Sequence, residues 1–388
     1  MIQKLIKSFF IISTIQLFTA SARLCSVSSK EKYNNPSIYN SQAAAGIKKE
    51  LDFMAEQPLA YWYTDRDGSL SSAKENVKKV VSACGQDTSV IIVYGLPGKD
   101  CTGSESSSGF NNNAESYETF IRNLKEVISD NSIIVLEPDA VAATIDGSKC
   151  GASKGYAENL RKAVSILGDT KAELYIDVGH WVVIYGDSKI KQLTDFISSI
   201  DNGKIKGVSL DLSNYRKTTE MEEACRNIRR VSGRDYKCII DTSRNNKGHS
   251  GKDTWCNFKG AGIGISENDP EFNNLRNKEA GVEHYVWIKP AIELDGSCYG
   301  SDDSYSTNKG AGEADLEWFK ILWNNGFYKD KLIQSTTGSP QVTTQSSTTI
   351  QSPATTIKPT SAPAADKSLD NKATDRASPV RWRVCKLK

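Results

Sequence analysis

Histidine is close to absent: three residues, His180, His249 and His284, in a chain of 388. That leaves too few imidazoles for a multi-histidine metal centre. Net charge is also close to absent, with 49 basic against 47 acidic residues and a balance of +2. Composition therefore gives no case for a nucleic-acid partner. No apolar run is long enough to cross a bilayer; the longest, Phe9–Phe18, falls well short. The single Asn-x-Ser/Thr triplet, Asn35-Pro36-Ser37, carries the proline that blocks N-glycosylation. Gly260-Ala261-Gly262-Ile263-Gly264 has the wrong spacing for a dinucleotide fingerprint. A G-x-S-x-G elbow, the mark of a serine esterase, is missing.

What is there begins with a leader pattern. Lys4 and Lys7 precede the short apolar core, and Ala20-Ser21-Ala22 offers a cleavage site. Residues 1–22 are expected to be a signal peptide, which makes the product secreted and extracellular. In an oxidising compartment most of the nine cysteines should pair, and an odd count leaves at least one over. From about Ser335 the chain turns to Thr, Ser, Pro and Gln. Residues 333–365 read as a linker and 366–388 as a short charged tail without a core. The expected folded body is a single catalytic domain, 23–332, acting as a monomer.

Within it, short β-branched or aromatic runs alternate with helical patterns. The expected strands are Leu59–Tyr63, Ser89–Tyr94, Ser132–Leu136, Glu173–Asp177, Lys204–Leu210, Lys237–Asp241 and Tyr285–Ile288. Helical periodicity occurs at Ala43–Glu56, Ala73–Ala83, Ser116–Ser129, Gly155–Leu167, Ser188–Ile200, Glu220–Val231 and Asp315–Asn325. Seven such units predict an α/β class fold: a parallel sheet, buried on both faces, curled into a distorted seven-stranded β/α barrel. An open doubly wound sheet is the alternative.

Polar residues gather just after the strands. Asp100 follows the second, Asp139 the third, Asp177 and His180 the fourth. Asp211 and Asn214 follow the fifth, Asp241 and Arg244 the sixth, Lys289, Glu293 and Asp295 the last. In α/β barrels those ends form one face, and it carries the site. Any single Asp there could be a helix cap. Six in succession instead predict carboxyl crowding, so at least one should keep its proton. A neutral carboxylic acid is what glycosidic cleavage needs to protonate the leaving oxygen. Trp62 and Trp255, at loop ends, suit stacking on sugar rings. Trp287, in mid-strand, reads as core.

The blocks VYGLPGKDC (93–101), LEPDAVA (136–142), YIDVGHW (175–181), DTSRN (241–245), TWCNFKGAGIG (254–264) and WIKPAIELDG (287–296) resemble glycoside hydrolase family 6, the inverting cellulases. The resemblance spans Asn34 to Phe327. It implies Asp139 as general acid and Asp100 as the aspartate that raises the acid's pKa and steers water. It implies Tyr94 as the residue favouring a distorted sugar, Ser107 as the holder of the attacking water, and Asp295 as the acid proposed for the base. Trp62, His180, Asn214, Trp255, Lys289 and Glu293 match substrate-binding positions. The implied disulfides are Cys101–Cys150 and Cys256–Cys298, and no metal or organic cofactor is implied. The expected partner is cellulose or another β-1,4-glucan. An endoglucanase is favoured over a cellobiohydrolase or a non-catalytic glucan-binding relative. Departures from the pattern are Lys99 for Arg, Ala140 for Ser, Val183 for Trp, Asp211 for Asn, and the bulkier Ala291-Ile292.

Overall fold

The computed structural model describes residues 23–332 except 104, 250–253 and 300. The expected signal peptide, linker and tail lie outside the described residues. Seven parallel strands run in chain order: β1 Tyr61–Thr64, β2 Val90–Tyr94, β3 Ile133–Leu136, β4 Glu173–Asp177, β5 Ile205–Leu210, β6 Lys237–Asp241 and β7 Val282–Val286. Helices cross back between most of them, as parallel pairing requires.

The strands are apolar on both faces, and alternation still sorts them. Val90, Ile92, Ile133, Val135 and Tyr175 point into the barrel with Ile239 and Val286. Their neighbours Ile91, Val93, Ile134 and Leu136 point outward, under helices such as Ala114–Lys125 and Tyr156–Leu167. The two edges of the sheet meet without a full ladder. Ala60 N–H donates to Trp287 O at 2.9 Å, and Trp62 Nε1 to Ile288 O at 2.9 Å. Over this seam lies an apolar cluster of Tyr33, Leu51, Met54, Trp287, Ala291, Ile292, Trp318 and Phe319. Trp287 is therefore core, as read. The bulk of Ala291 and Ile292 is spent in that cluster and anchors their loop.

Element boundaries differ from expectation by up to about five residues, and two show why. The last strand begins three residues earlier than read, at Val282, and ends at Val286. Glu283 and His284 interrupt its apolar run, whereas Trp287 and Ile288 prolong the run beyond the ladder. The helix expected from Ala43 starts at Lys48, after a single 3-10 turn at Gln42–Ala44. Gly46 between them has the lowest helix propensity after proline.

Four disulfides close. Cys101–Cys150 and Cys256–Cys298 are those the resemblance implied; Cys25–Cys84 and Cys225–Cys238 complete the set among the described residues. Cys101–Cys150 ties the loop after β2 to the segment after β3. Cys256–Cys298 ties the loops after β6 and β7.

Candidate active site

The loops after the strands are built from strained backbone. Among the described residues eight non-glycine positions have positive φ. Seven of them, all but Lys149, lie in these loops: Asp100, Glu137, Asp139, Asp211, Ser213, Asn257 and Cys298. Each left-handed residue costs on the order of 1 kcal/mol, and such strain persists where the surroundings over-determine it.

Asp139 occupies the cap position of the helix Ala140–Ile145, yet its side chain caps nothing. Its φ of 63° turns the carboxyl away from the helix. Its own N–H donates to Asp177 Oδ2 at 2.8 Å, and Gly179 N–H reaches the same oxygen at 3.1 Å. Asp177 is fully buried, and burial pushes its carboxyl up to about 7 against the pull of those two N–H groups. Asp139 is raised well above the carboxylate range by desolvation first, then by Asp177 and Asp100. The carboxyl crowding read from the sequence is realised here, and it raises Asp139.

Asp100 and Asp139 line one small pocket, with Leu96, Lys99, Cys101, Pro138 and Tyr156. Asp100 Oδ2 accepts Ser106 N–H at 2.5 Å. The loop that carries it is pinned by a buried ion pair: Lys99 Nζ to Asp65 Oδ1, 2.5 Å, with side chains 2% and 1% exposed. Lys99 also bonds Ser108 O, and Asp65 Oδ2 accepts Asn111 N–H at 3.1 Å. So the lysine that replaces the family's arginine fastens the loop. Ser107 is exposed on that loop, and the loop's bond to Asp100 comes from Ser106. Tyr94 ends β2 edge-on to Trp62, ring centres 5.7 Å apart, within the electrostatic reach of Asp100 and Asp139.

Asp295 stands in different company. Arg244, fully buried, gives Nη1 to Asp295 Oδ1 at 2.9 Å. Tyr215 OH and Asn257 N–H (3.0 Å) bond Oδ2. Asn257 Oδ1 accepts the Asp295 N–H at 2.7 Å, and its amide nitrogen holds Gly296 O and Tyr305 O. Arg244 lies over the Tyr215 ring at 4.6 Å and also holds Ser213 O.

The other expected residues line the same face. His180 is edge-on to Trp181, and burial, then Arg216 and His249, pull its pKa down to about 3, so it is neutral. Asn214 is buried, its Oδ1 3.3 Å from His249 Nε2. Trp255 is 44% exposed, as a stacking platform must be. Val183 is buried and offers none; two residues on, Tyr185 is 57% exposed. Lys289, lowered by burial, faces Glu293 at 3.8 Å.

Glu137 and Asn257 were not singled out from the sequence, and Asp177 and Asp241 were placed on the rim without a role. Glu137 is fully buried and accepts Gly95 N–H (3.0 Å), Leu96 N–H (3.1 Å) and Tyr117 OH (3.0 Å), bolting the β3 end to the β2 end. Burial pushes it up to about 8. Asp241 accepts Ser213, Ser243 and Ile288 N–H and so joins the ends of β5, β6 and β7. Their signal was in the quoted blocks: Glu137 lies two residues before Asp139, Asp177 three before His180, Asp241 three before Arg244 and Asn257 two after Trp255.

At the far ends of the strands, Glu173, Glu283 and His284 come close enough to share a cation. Lys206 already bridges Glu173 and Glu283 at 2.7 Å each, and His284 bonds Glu267 at 2.9 Å.

A family model for glycosyl hydrolases family 6 matches residues 24–325. Among curated proteins the chain is 31% identical over 264 residues to endoglucanase A of Cellulomonas fimi, covering 67% of this chain and 54% of that protein. It is 25% identical over 259 residues to a probable 1,4-beta-D-glucan cellobiohydrolase C of Aspergillus niger, covering 58% and 55%. The chain thus spans about half the length of these curated relatives. Among solved structures it resembles the GH6 enzyme of Orpinomyces sp. Y102 with a TM-score of 0.64 at 25% identity, covering 79% of this chain and 97% of that one.

Proposed function

The chain belongs to glycoside hydrolase family 6, and from that premise we propose that it is a secreted β-1,4-glucanase that cleaves cellulose-type chains with inversion. The observation that carries the reading is Asp139, a carboxyl kept protonated by burial and by Asp177 and Asp100. It donates to the glycosidic oxygen while water attacks the anomeric carbon from the other face. Inverting sites hold their two carboxyls roughly 6.5–9.5 Å apart to admit that water.

Asp295 already accepts from an arginine, a tyrosine and a backbone N–H. Those three bonds occupy both Asp295 oxygens and hold the group in place, which favours Asp100 for the proton of the attacking water. Tyr94 and Trp62 flank the cleaved sugar, and Ser107 or its neighbour Ser106 orients the water. His180, Asn214, Trp255, Lys289 and Glu293 bind the chain. The four disulfides and the leader pattern support secretion.

Release of reducing ends from a soluble cellulose derivative tests this. The parent chain should be active and Asp139→Ala nearly silent; equal release by both would sink the assignment. The first anomer seen by proton NMR should be α. The exposed Trp255 and Tyr299 beside Cys256–Cys298 support an open cleft and endo action. Relatives named as cellobiohydrolases keep exo action as the second reading. A steep fall in viscosity for few reducing ends separates endo from exo.

A further inference from the structure

The seam between β7 and β1 is crossed by the short helix Val27–Tyr33. Three bonds fix its place. Cys25 is joined to Cys84, Cys25 N–H donates to Thr88 O at 2.9 Å, and Tyr33 OH accepts Ala291 N–H at 2.9 Å. Tyr33 is fully buried, and its predecessor Lys32 is exposed. Lys32 Nζ bonds Glu293 Oε1. Lys32 also lies within electrostatic reach of Lys289 and of Asp67 in the loop after β1.

The result is one carboxylate between two ammonium groups. Glu293 and Lys289 are each 11% exposed, Lys32 49%. Lys289 is 3.8 Å from Glu293 Oε2, beyond hydrogen-bond length. Two lysines supply six N–H donors, and Glu293 has two oxygens. The surplus donors point to an acceptor-rich ligand. As a stabilising contact the half-exposed Lys32–Glu293 pair is worth little. Covered by a ligand it would be desolvated and stronger.

We infer that Lys32 is a substrate-binding residue: the N-terminal helix carries it across the seam so that Lys32, Glu293 and Lys289 together hold the hydroxyls of one sugar unit of a β-1,4-glucan. This rests on the glucanase reading above. The sugar-binding end of the cleft then draws on both ends of the folded body, and Cys25–Cys84 becomes part of its support.

The test uses the full chain carrying Asp139→Asn, which binds without turnover, titrated calorimetrically with cellotetraose. Adding Lys32→Met should weaken binding about tenfold, the worth of one charged hydrogen bond. Lys32→Arg, which keeps charge and donors, should recover most of it, and the unfolding midpoint of both should match the parent. Equal binding with methionine overturns the inference, as does an equal loss with methionine and arginine, which would mark a packing role. Absence of binding by the Asp139→Asn chain itself overturns the glucanase reading, and this inference with it.

Discussion

Two aspartates on one face of this barrel live in opposite electrostatic worlds. Asp139 has burial and two further carboxyls, Asp177 and Asp100, as its chief influences. Asp295 has Arg244, Tyr215 and a backbone N–H. The residue type is the same, so the difference lies in what the neighbouring loops deliver. Burial and like charges raise the pKa of the one, while an arginine, a tyrosine and a backbone N–H fix the other in place. The distinction is produced by second partners rather than by the acids themselves.

Removing the proton store should have the largest effect. Asp139→Asn is expected to lower kcat about 100- to 10,000-fold, read by steady-state hydrolysis, with no loss of thermal stability. The other side should fail structurally. Arg244→Met leaves Asp295 without its cation and is expected to cost about 3–5 kcal/mol in denaturant unfolding, since breaking one half of a buried pair strands the other. A midpoint unchanged from the parent would show that Asp295 does not depend on the pair.

The third test shifts rather than removes. Asp177 is a like charge beside Asp139, so Asp177→Asn should lower the Asp139 pKa. The basic limb of the kcat profile should then move to lower pH. Stability gives the same sign. Asp177 titrates near 7 when folded and near 3.9 when unfolded. Its stabilising share is fully present below about pH 4 and is lost as pH rises through 7. Asp177→Asn should therefore flatten the unfolding midpoint over that window. The smallest effect belongs to His180, neutral down to pH 3. His180→Gln should raise KM a few-fold, about 1 kcal/mol, by a ratio that stays level from pH 4.5 to 7.5. A break in that ratio near pH 6.5 would contradict its neutrality.

The barrel was legible because its strands are short, apolar and evenly spaced, and because polar residues cluster at one end of each. Their boundaries were legible only to within a few residues where Glu283, His284 and Gly46 interrupt the pattern. Asp139, Asp100 and Asp295 stood out by motif. What the sequence hid is the division of labour. Asp177 and Asp241 read equally well as helix caps, yet the structure spends both on backbone N–H groups of neighbouring loops. Nor did spacing reveal that Lys99 pairs with Asp65, 34 positions away, or that Asn257 fixes both the main chain and the carboxylate of Asp295. Such partners depend on left-handed backbone at Asp139, Asp211 and Asn257, which no apolar periodicity records.

The seam has a temporal meaning as well. Each strand pairs with the one made just before it, so most of the sheet can form as the chain lengthens. The seam contacts are of another order: Tyr33 to Ala291 spans 258 positions and Lys32 to Glu293 spans 261. Contacts that close loops of such length form late, because their entropy must be met before they reward it. The first described helix thus waits for one of the last loops, and only their meeting sets Glu293 beside Lys32. Folding intermediates trapped before that step should carry a formed sheet and a weakened grip on sugar.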